Sequence, residues 1–562
     1  MPSIPEDAAH DTMRQSVDVS GGVVNREACY DSYFGPRPVI SSLRGVVSSA
    51  HPLASQAGLR ILSDGGNAFD AVIATASTLN VVEPYMSGIG GMGVATFYVA
   101  GERRIRTLDF IPAVPREYDA STKSREDLRR GPHSAGTPGN LAGWCELLAA
   151  YGHRSRAEVF APAIDLARNG FPITDLNSHV IGESMVDCAS DPNWATIYTD
   201  AGAIPEPGWV LRQTDLANTL EAVAADGADY LYRGKLGQSL VTHLRALGGS
   251  VSSCDLDEVH PRWDDPIAID YGAYRVHTPP PQSEGFQMLL GLQMLRDFNL
   301  ADKPRNGVEH LDWVFRAIRL AAEQRILNAN ASRDQIAAMF SDAASGRLSG
   351  RLRSTEPICA RTELFGEPEP SNGSRGGQHT TSMSVGDGDG NVVCITQSLG
   401  SPFGSGIAIP GTGIVLNNFL NWGELHPDSA NYMTAGAPLS LPIAPSVTTS
   451  GGEPVLALGT PGGFGICQTQ TQVFVQWAEY GLSVQKAIEE PRAILSDGTS
   501  VQLEARISAD TVRALRAKGH DVIMLPAFDM HVGGMQGVMR DPETGALFGG
   551  ADPRRDGYAV GL

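Results

Sequence analysis

The stretch "GGQHTTSMSVGDGDGNVV", Gly376 to Val393, decides how this chain is read. From Gly350 to His379 the text is rich in Gly, Pro, Ser and charge, and predicts an exposed, mobile linker. Thr380 and Thr381 then open a strand, and "GDGDG" predicts a hairpin turn into a second strand, "NVVCITQSL". A Thr at the start of a strand ordinarily only packs. A chemical role needs more around it. Here the Gly-rich "SNGSRGGQH" ends directly before the pair. Elsewhere, Gly462 and Gly463 in "LALGTPGGFGI" sit at a predicted strand-to-helix turn, where backbone N–H groups point outward at an anion.

Outward from this point the text alternates in blocks. "LASQAGLRIL" and "AFDAVIATASTLNVV" predict two helices, followed by strands at "VATFYV" and "RIRTLDF". Residues 140 to 340 are helix-rich. After the linker come strands at "GIVLNN", "APSVTTS" and "PVLALGT", then the helices "CQTQTQVFVQWAEYG" and "SVQKAIEEPR". Helices and antiparallel strands in blocks, without regular βαβ units, predict an α+β layered fold.

The chain has 562 residues, 42% of them hydrophobic, and a formal charge of -20. That balance excludes a nucleic-acid partner, which needs a basic stripe, and argues against adsorption to anionic membranes. No apolar run reaches membrane-spanning length. The N-terminal segment lacks the basic head and apolar stretch of a secretory signal; residues 1–40 read as a flexible arm. Seven scattered cysteines without a CxxC predict neither a zinc site nor a disulfide framework. The expectation is a cytoplasmic protein without metal or cofactor.

Two motifs fail on context. "GIGGMG", Gly88 to Gly93, spells a dinucleotide fingerprint, but a helix precedes it and a strand follows, the reverse of what that site needs. Close backbone packing explains it better. "DGDGN" from Asp387 begins like a calcium loop, yet the sixth position is Val392 and the twelfth Ser398. No HExxH or GxSxG occurs.

The ordered set "ILSDGGNAFDAVIATASTLNVVEP", "SGIGGMG", "GTPGNLAGW", "TTSMSVGDGDGNVV", "FGSGI", "GIVLNN", "APLS", "TPGGFG" and "AIEEPR" resembles the γ-glutamyltranspeptidase family of N-terminal-nucleophile hydrolases, over about Leu43 to Leu562. The resemblance implies a four-layer αββα sandwich and a precursor that cuts itself between His379 and Thr380. A large chain ending at His379 (its fold part 41–379, with the linker at 350–379) and a small chain, 380–562, would share one domain. Whether such pairs dimerise is left open. The resemblance makes Thr380 the nucleophile, Ser398 its supporting hydroxyl, Gly462 and Gly463 the oxyanion-hole pair, and Ser440 a substrate contact. The chemistry fits. An alcohol needs a base beside it, and cleavage turns an amide nitrogen into an α-amine of pKa about 7.7–8.0 on the same residue.

The family's amino-acid clamp is not kept. Ile111 stands where a carboxylate-binding Arg is expected, and Trp422 where an acidic residue takes the amine. Gly400 replaces an Asn, and Phe419 a polar residue; Arg116 is the one nearby cation that could substitute. The leading expectation is therefore a threonine amide hydrolase or acyltransferase for a small non-standard amide, oxamate-amidohydrolase-like or acylase-like. The alternatives are a true glutathione hydrolase and a non-catalytic scaffold.

Overall fold

The strand Thr381–Asp387 pairs antiparallel with Val392–Ser398 on one side and with Gly45–Ser49 on the other. In the computed structural model, which describes residues 37–362 and 379–562, these three lie inside a seven-stranded sheet. Tyr558–Gly561, Met92–Val99, Arg104–Asp109 and Arg262–Asp264 complete it. A second seven-stranded sheet runs in the order Ile40–Ser42, Leu547–Ala551, Gln536–Arg540, Glu453–Gly459, Ser446–Ser450, Tyr274–Thr278, Ile267–Tyr271. Val46, Val538 and Leu547 form one patch of core between the sheets; Tyr98, Cys394, Val447 and Ala457 belong to another. Helices Pro52–Ser63 and Ala68–Val82 cover the outside of the first sheet; Phe286–Leu295, Ile466–Tyr480 and Val484–Glu489 cover the second. The result is the expected αββα sandwich.

Burial on both faces explains the composition of the central elements. Every residue of Thr381–Asp387 and of Val392–Ser398 is buried, as is every residue of the apolar helix Ala68–Val82. That helix starts on a capping box between Asn67 and Asp70. Asp387 Oδ1 accepts from the N–H groups of Asp389 and Asn391, and its Oδ2 accepts from Ala68 N at 2.9 Å. "GDGDG" is thus a hairpin turn tied to a helix start. The "GIGGMG" glycines do serve close packing: a Cβ on Gly90 would lie 2.1 Å from Val415 O, and one on Gly91 2.2 Å from Ser398 O.

Segments from either side of residue 379 interleave. Gly45–Ser49 lies between Tyr558–Gly561 and Thr381–Asp387, so a cut at that point leaves both pieces in one sandwich. Two boundaries need correction. The arm is shorter than residues 1–40: Arg37 N donates to Glu489 Oε1, and Ile40 pairs with Gly549. The linker is shorter than 350–379: Gly350–Arg353 is the last turn of helix Asp342–Arg353, with Leu352 buried. Thr362 is fully buried, held by Arg325 and Asp497, and His379 is buried too. The remainder of that stretch, 363–378, lies outside the described residues, as does 1–36.

Candidate active site

Thr381 pairs with Gln397 in the hairpin, so one step further along this register Thr380 faces Ser398. Thr380 Oγ1 lies 2.6 Å from the carbonyl oxygen of His379 and 3.0 Å from Ser398 Oγ. Ser398 Oγ is itself 3.0 Å from the His379 carbonyl oxygen and accepts from Gly400 N at 2.8 Å. Two hydroxyls therefore converge on one buried carbonyl. Three sequence-derived positions, His379, Thr380 and Ser398, meet here, and Gly400 joins them through its backbone.

Gly400 is required by geometry. Its φ is +99°, and a Cβ would fall 2.2 Å from Asn418 Oδ1. Asn418 accepts from Ser401 N and donates to Ser401 Oγ and Arg129 O. It fills the space into which an Asn at 400 would project.

Gly462 and Gly463 have φ of +140° and +54°, conformations that glycine adopts at no steric cost. They sit between strand Glu453–Gly459 and helix Ile466–Tyr480. Among the described residues neither amide N–H is taken up by a backbone or side-chain acceptor. The ring of Trp422 lies against Gly463, where a Cβ would approach Cη2 to 2.5 Å. Trp422 packs edge-to-face on Phe464 at 5.1 Å, and the Arg325 guanidinium lies 4.5 Å over the Phe464 ring. Both rings are half-buried, giving a partly accessible aromatic wall beside the glycine pair.

Three sequence expectations change. Phe419 is fully buried and Gly136 packs on its ring; it backs the wall and does not line a pocket. Ile111 is only 6% exposed and shares a small core with Phe419, Leu439 and Leu441, against which Trp422 rests. Arg116 points to the surface, where it pairs with Glu258 at 2.6 Å, so it does not replace the missing cation. Ser440 is buried: its N–H donates to Asn431 Oδ1 and its hydroxyl to Gln282 O at 3.3 Å.

Sequence reading missed Arg555, Glu83 and Phe464 around the threonine. Arg555 Nη1 donates to Thr380 O at 3.1 Å, and the same side chain packs on Gly534, which in turn abuts Pro461 before the glycine pair. Thr381 Oγ1 donates to Glu83 Oε2 at 2.7 Å. Burial holds His379 well below the usual imidazole range, and Arg555, Arg130 and His531 add to that. The available signals were a lone acid closing an apolar helix ("NVVEP") and the paired arginines of "DPRRDG".

A separate cavity of about 600 Å³, lined by Tyr98, Arg104, Tyr274 and His277 among others, contains none of these groups. Among the described residues no cluster of three His, Cys, Asp or Glu converges as a metal site, and no helix is long and apolar enough to cross a membrane.

Comparison with known proteins gives a consistent result. The family model described as gamma-glutamyltranspeptidase matches residues 54–562. The chain is 33% identical over 540 residues to the acylase ACY 1 proenzyme of Pseudomonas sp. (strain SE83), covering 93% of this chain and 94% of that one. It is 31% identical over 558 residues to the glutathione hydrolase proenzyme of Bacillus subtilis (strain 168), covering 95% and 93%. The crystal structure of a cephalosporin acylase from Bacillus halodurans superposes with a TM-score of 0.86 at 29% identity, covering 94% of this chain and 98% of that chain. With a family match over nearly its whole length, this chain belongs to the gamma-glutamyltranspeptidase family.

Proposed function

We propose that the protein is a self-processing amide hydrolase that carries acyl groups on Thr380. The observation that carries this reading is the 2.6 Å approach of Thr380 Oγ1 to the His379 carbonyl, with Ser398 3.0 Å from both oxygens. In the precursor, Thr380 Oγ attacks the His379 carbonyl carbon. Its proton passes to Ser398 as the Ser398 proton moves to the carbonyl oxygen. Collapse breaks the His379–Thr380 amide, the nitrogen takes that proton, and an ester to Oγ remains. Water hydrolyses the ester, leaving a carboxylate on His379 and a free amine on Thr380.

The same parts then serve turnover. The amine takes the Oγ proton, Oγ attacks the substrate amide, and the unused N–H groups of Gly462 and Gly463 stabilise the oxyanion. The leaving amine departs with a proton, and water or a second amine accepts the acyl group.

Substrate choice follows from the wall. Each charge-assisted hydrogen bond of an amino-acid clamp contributes about 1.5–3 kcal/mol. Losing both ends weakens γ-glutamyl recognition by about 3–6 kcal/mol, or two to four decades. Trp422 and Phe464 offer apolar surface instead. The substrate is therefore a small amide with a flat or apolar acyl group, in keeping with similarity to proteins named acylases. The six described cysteines are free thiols, which fits a reducing cytoplasm.

The test is trapping. Processed protein is incubated with aryl-acyl and γ-glutamyl anilides, and its peptides are weighed. The reading expects an acyl adduct on the Thr380 peptide and kcat/KM at least a hundredfold higher for the aryl-acyl substrate. An adduct elsewhere, or preference for the γ-glutamyl compound, overturns it.

A further inference from the structure

We infer that Glu83 is a positioning residue for the N-terminal threonine, holding the first residues of the small chain through Thr381 and setting the charge beside the Thr380 amine. This rests on the reading of Thr380 as a terminal nucleophile and goes beyond it. Glu83 closes helix Ala68–Val82 and is fully buried. Its Oε2 accepts from Thr381 Oγ1 at 2.7 Å, whereas its Oε1 is buried with no hydrogen-bond partner among the described residues. Neighbouring Cα atoms are about 3.8 Å apart, so this carboxyl lies within about 10 Å of the Thr380 nitrogen.

The other side of the nucleophile is held by the opposite charge. Arg555, also buried, donates to Thr380 O at 3.1 Å. Thr380 is thus bracketed, its carbonyl bound by Arg555 and the next side chain bound by Glu83. The charged and titratable groups that act on Glu83 are Arg555, Asp556 and Tyr85. Tyr85 OH accepts from Asn177, and Asp556 accepts from Thr174 Oγ1 at 2.6 Å.

A buried acid with one unused oxygen is costly unless its charge matters. Burial pushes the Glu83 carboxyl up to about 7 in spite of Arg555. A free α-amine titrates at about 7.7–8.0, a range in which a nearby carboxylate charge bears on it. Ionised Glu83 stabilises the ammonium and raises the pH at which the amine becomes a base. Removing the carboxylate moves that transition down.

The experiment measures kcat and KM against pH for processed wild type and Glu83→Gln. Processing of wild type to a chain beginning at Thr380 is established first; its failure would sink the terminal-nucleophile reading itself. With processing normal, the Gln variant is expected to keep KM within about twofold and to shift the acid limb of kcat down by about 0.5–1 pH unit. Glu83→Asp should restore part of the shift. An unmoved acid limb, or a lower kcat with an unchanged profile, overturns the role of Glu83 alone. If Glu83→Gln stays uncut, Thr381→Val is the second arm. It removes the hydroxyl tether, and a wild-type kcat and profile in that variant overturn the inference.

Discussion

The Thr380 hydroxyl and the His379 carbonyl oxygen lie 2.6 Å apart across the peptide bond that joins their residues. Ser398 reaches both oxygens because the hairpin register sets it opposite Thr380. Strand pairing thus brings the two hydroxyls and the His379 carbonyl together.

Removing the relay should slow both reactions. Ser398→Ala loses one donor, and kcat and the rate of self-cleavage should each fall by about 10²–10³. Ser398→Thr keeps the hydroxyl and should stay within about tenfold. A time course of precursor conversion on a denaturing gel, with steady-state rates, measures both.

The glycine pair should tolerate no side chain. In Gly463→Ala the new Cβ would meet the Trp422 ring at 2.5 Å from a backbone at φ +54°. Loss of oxyanion geometry should lower kcat by about 10² or more, with thermal unfolding showing the variant still folded.

Trp422→Ala removes half of the aromatic wall. Burying about 100 Å² of acyl surface is worth about 2.5 kcal/mol, so kcat/KM for an aryl-acyl anilide should fall by about tenfold to a hundredfold. A γ-glutamyl anilide, which the wall does not suit, should lose far less. Ile111→Arg, by contrast, places a cation in a closed apolar cluster and should lower stability without rescuing γ-glutamyl turnover.

The fold was legible because its signals are local. Helix Pro52–Ser63 announces itself by apolar spacing and a Gly stop, Ala68–Val82 by its long apolar run, and "GDGDG" by turn chemistry. The order of nine short motifs identified the family. Burial was not legible: Phe419 is a core residue because Gly136 packs on it from another loop, a contact far away in sequence. Arg116 is turned outward by Glu258, 142 residues on. Arg555 comes to Thr380 and Glu83 to Thr381 through contacts distant in sequence, which no spacing in the chain encodes.

Behind the site lies a buried ion cluster. Arg492 pairs with Asp552 at 2.5 Å, and Arg554 bridges Asp552 and Glu504 at 3.1 and 2.6 Å. Arg492 and Arg554 hold the Asp552 carboxyl at about 2, against its burial. A carboxylate with a depressed folded value contributes stability above its unfolded value of about 3.9. That contribution is lost as pH falls from about 4 through 2. Asp552→Ala leaves the buried Arg492 without its carboxylate partner, while Arg554 keeps Glu504, and should cost about 3–5 kcal/mol at pH 7, read by urea unfolding. The deficit relative to wild type should shrink as pH falls from 4 to 2.

The most direct test of the account is the state of the purified chain. On a denaturing gel the wild type should convert into two pieces, and Edman sequencing of the smaller should begin Thr-Thr-Ser-Met, at Thr380. Thr380→Ala should remain one band under the same conditions. A wild type that hydrolyses amides while still a single uncut chain would contradict the account, because the amine base would not exist.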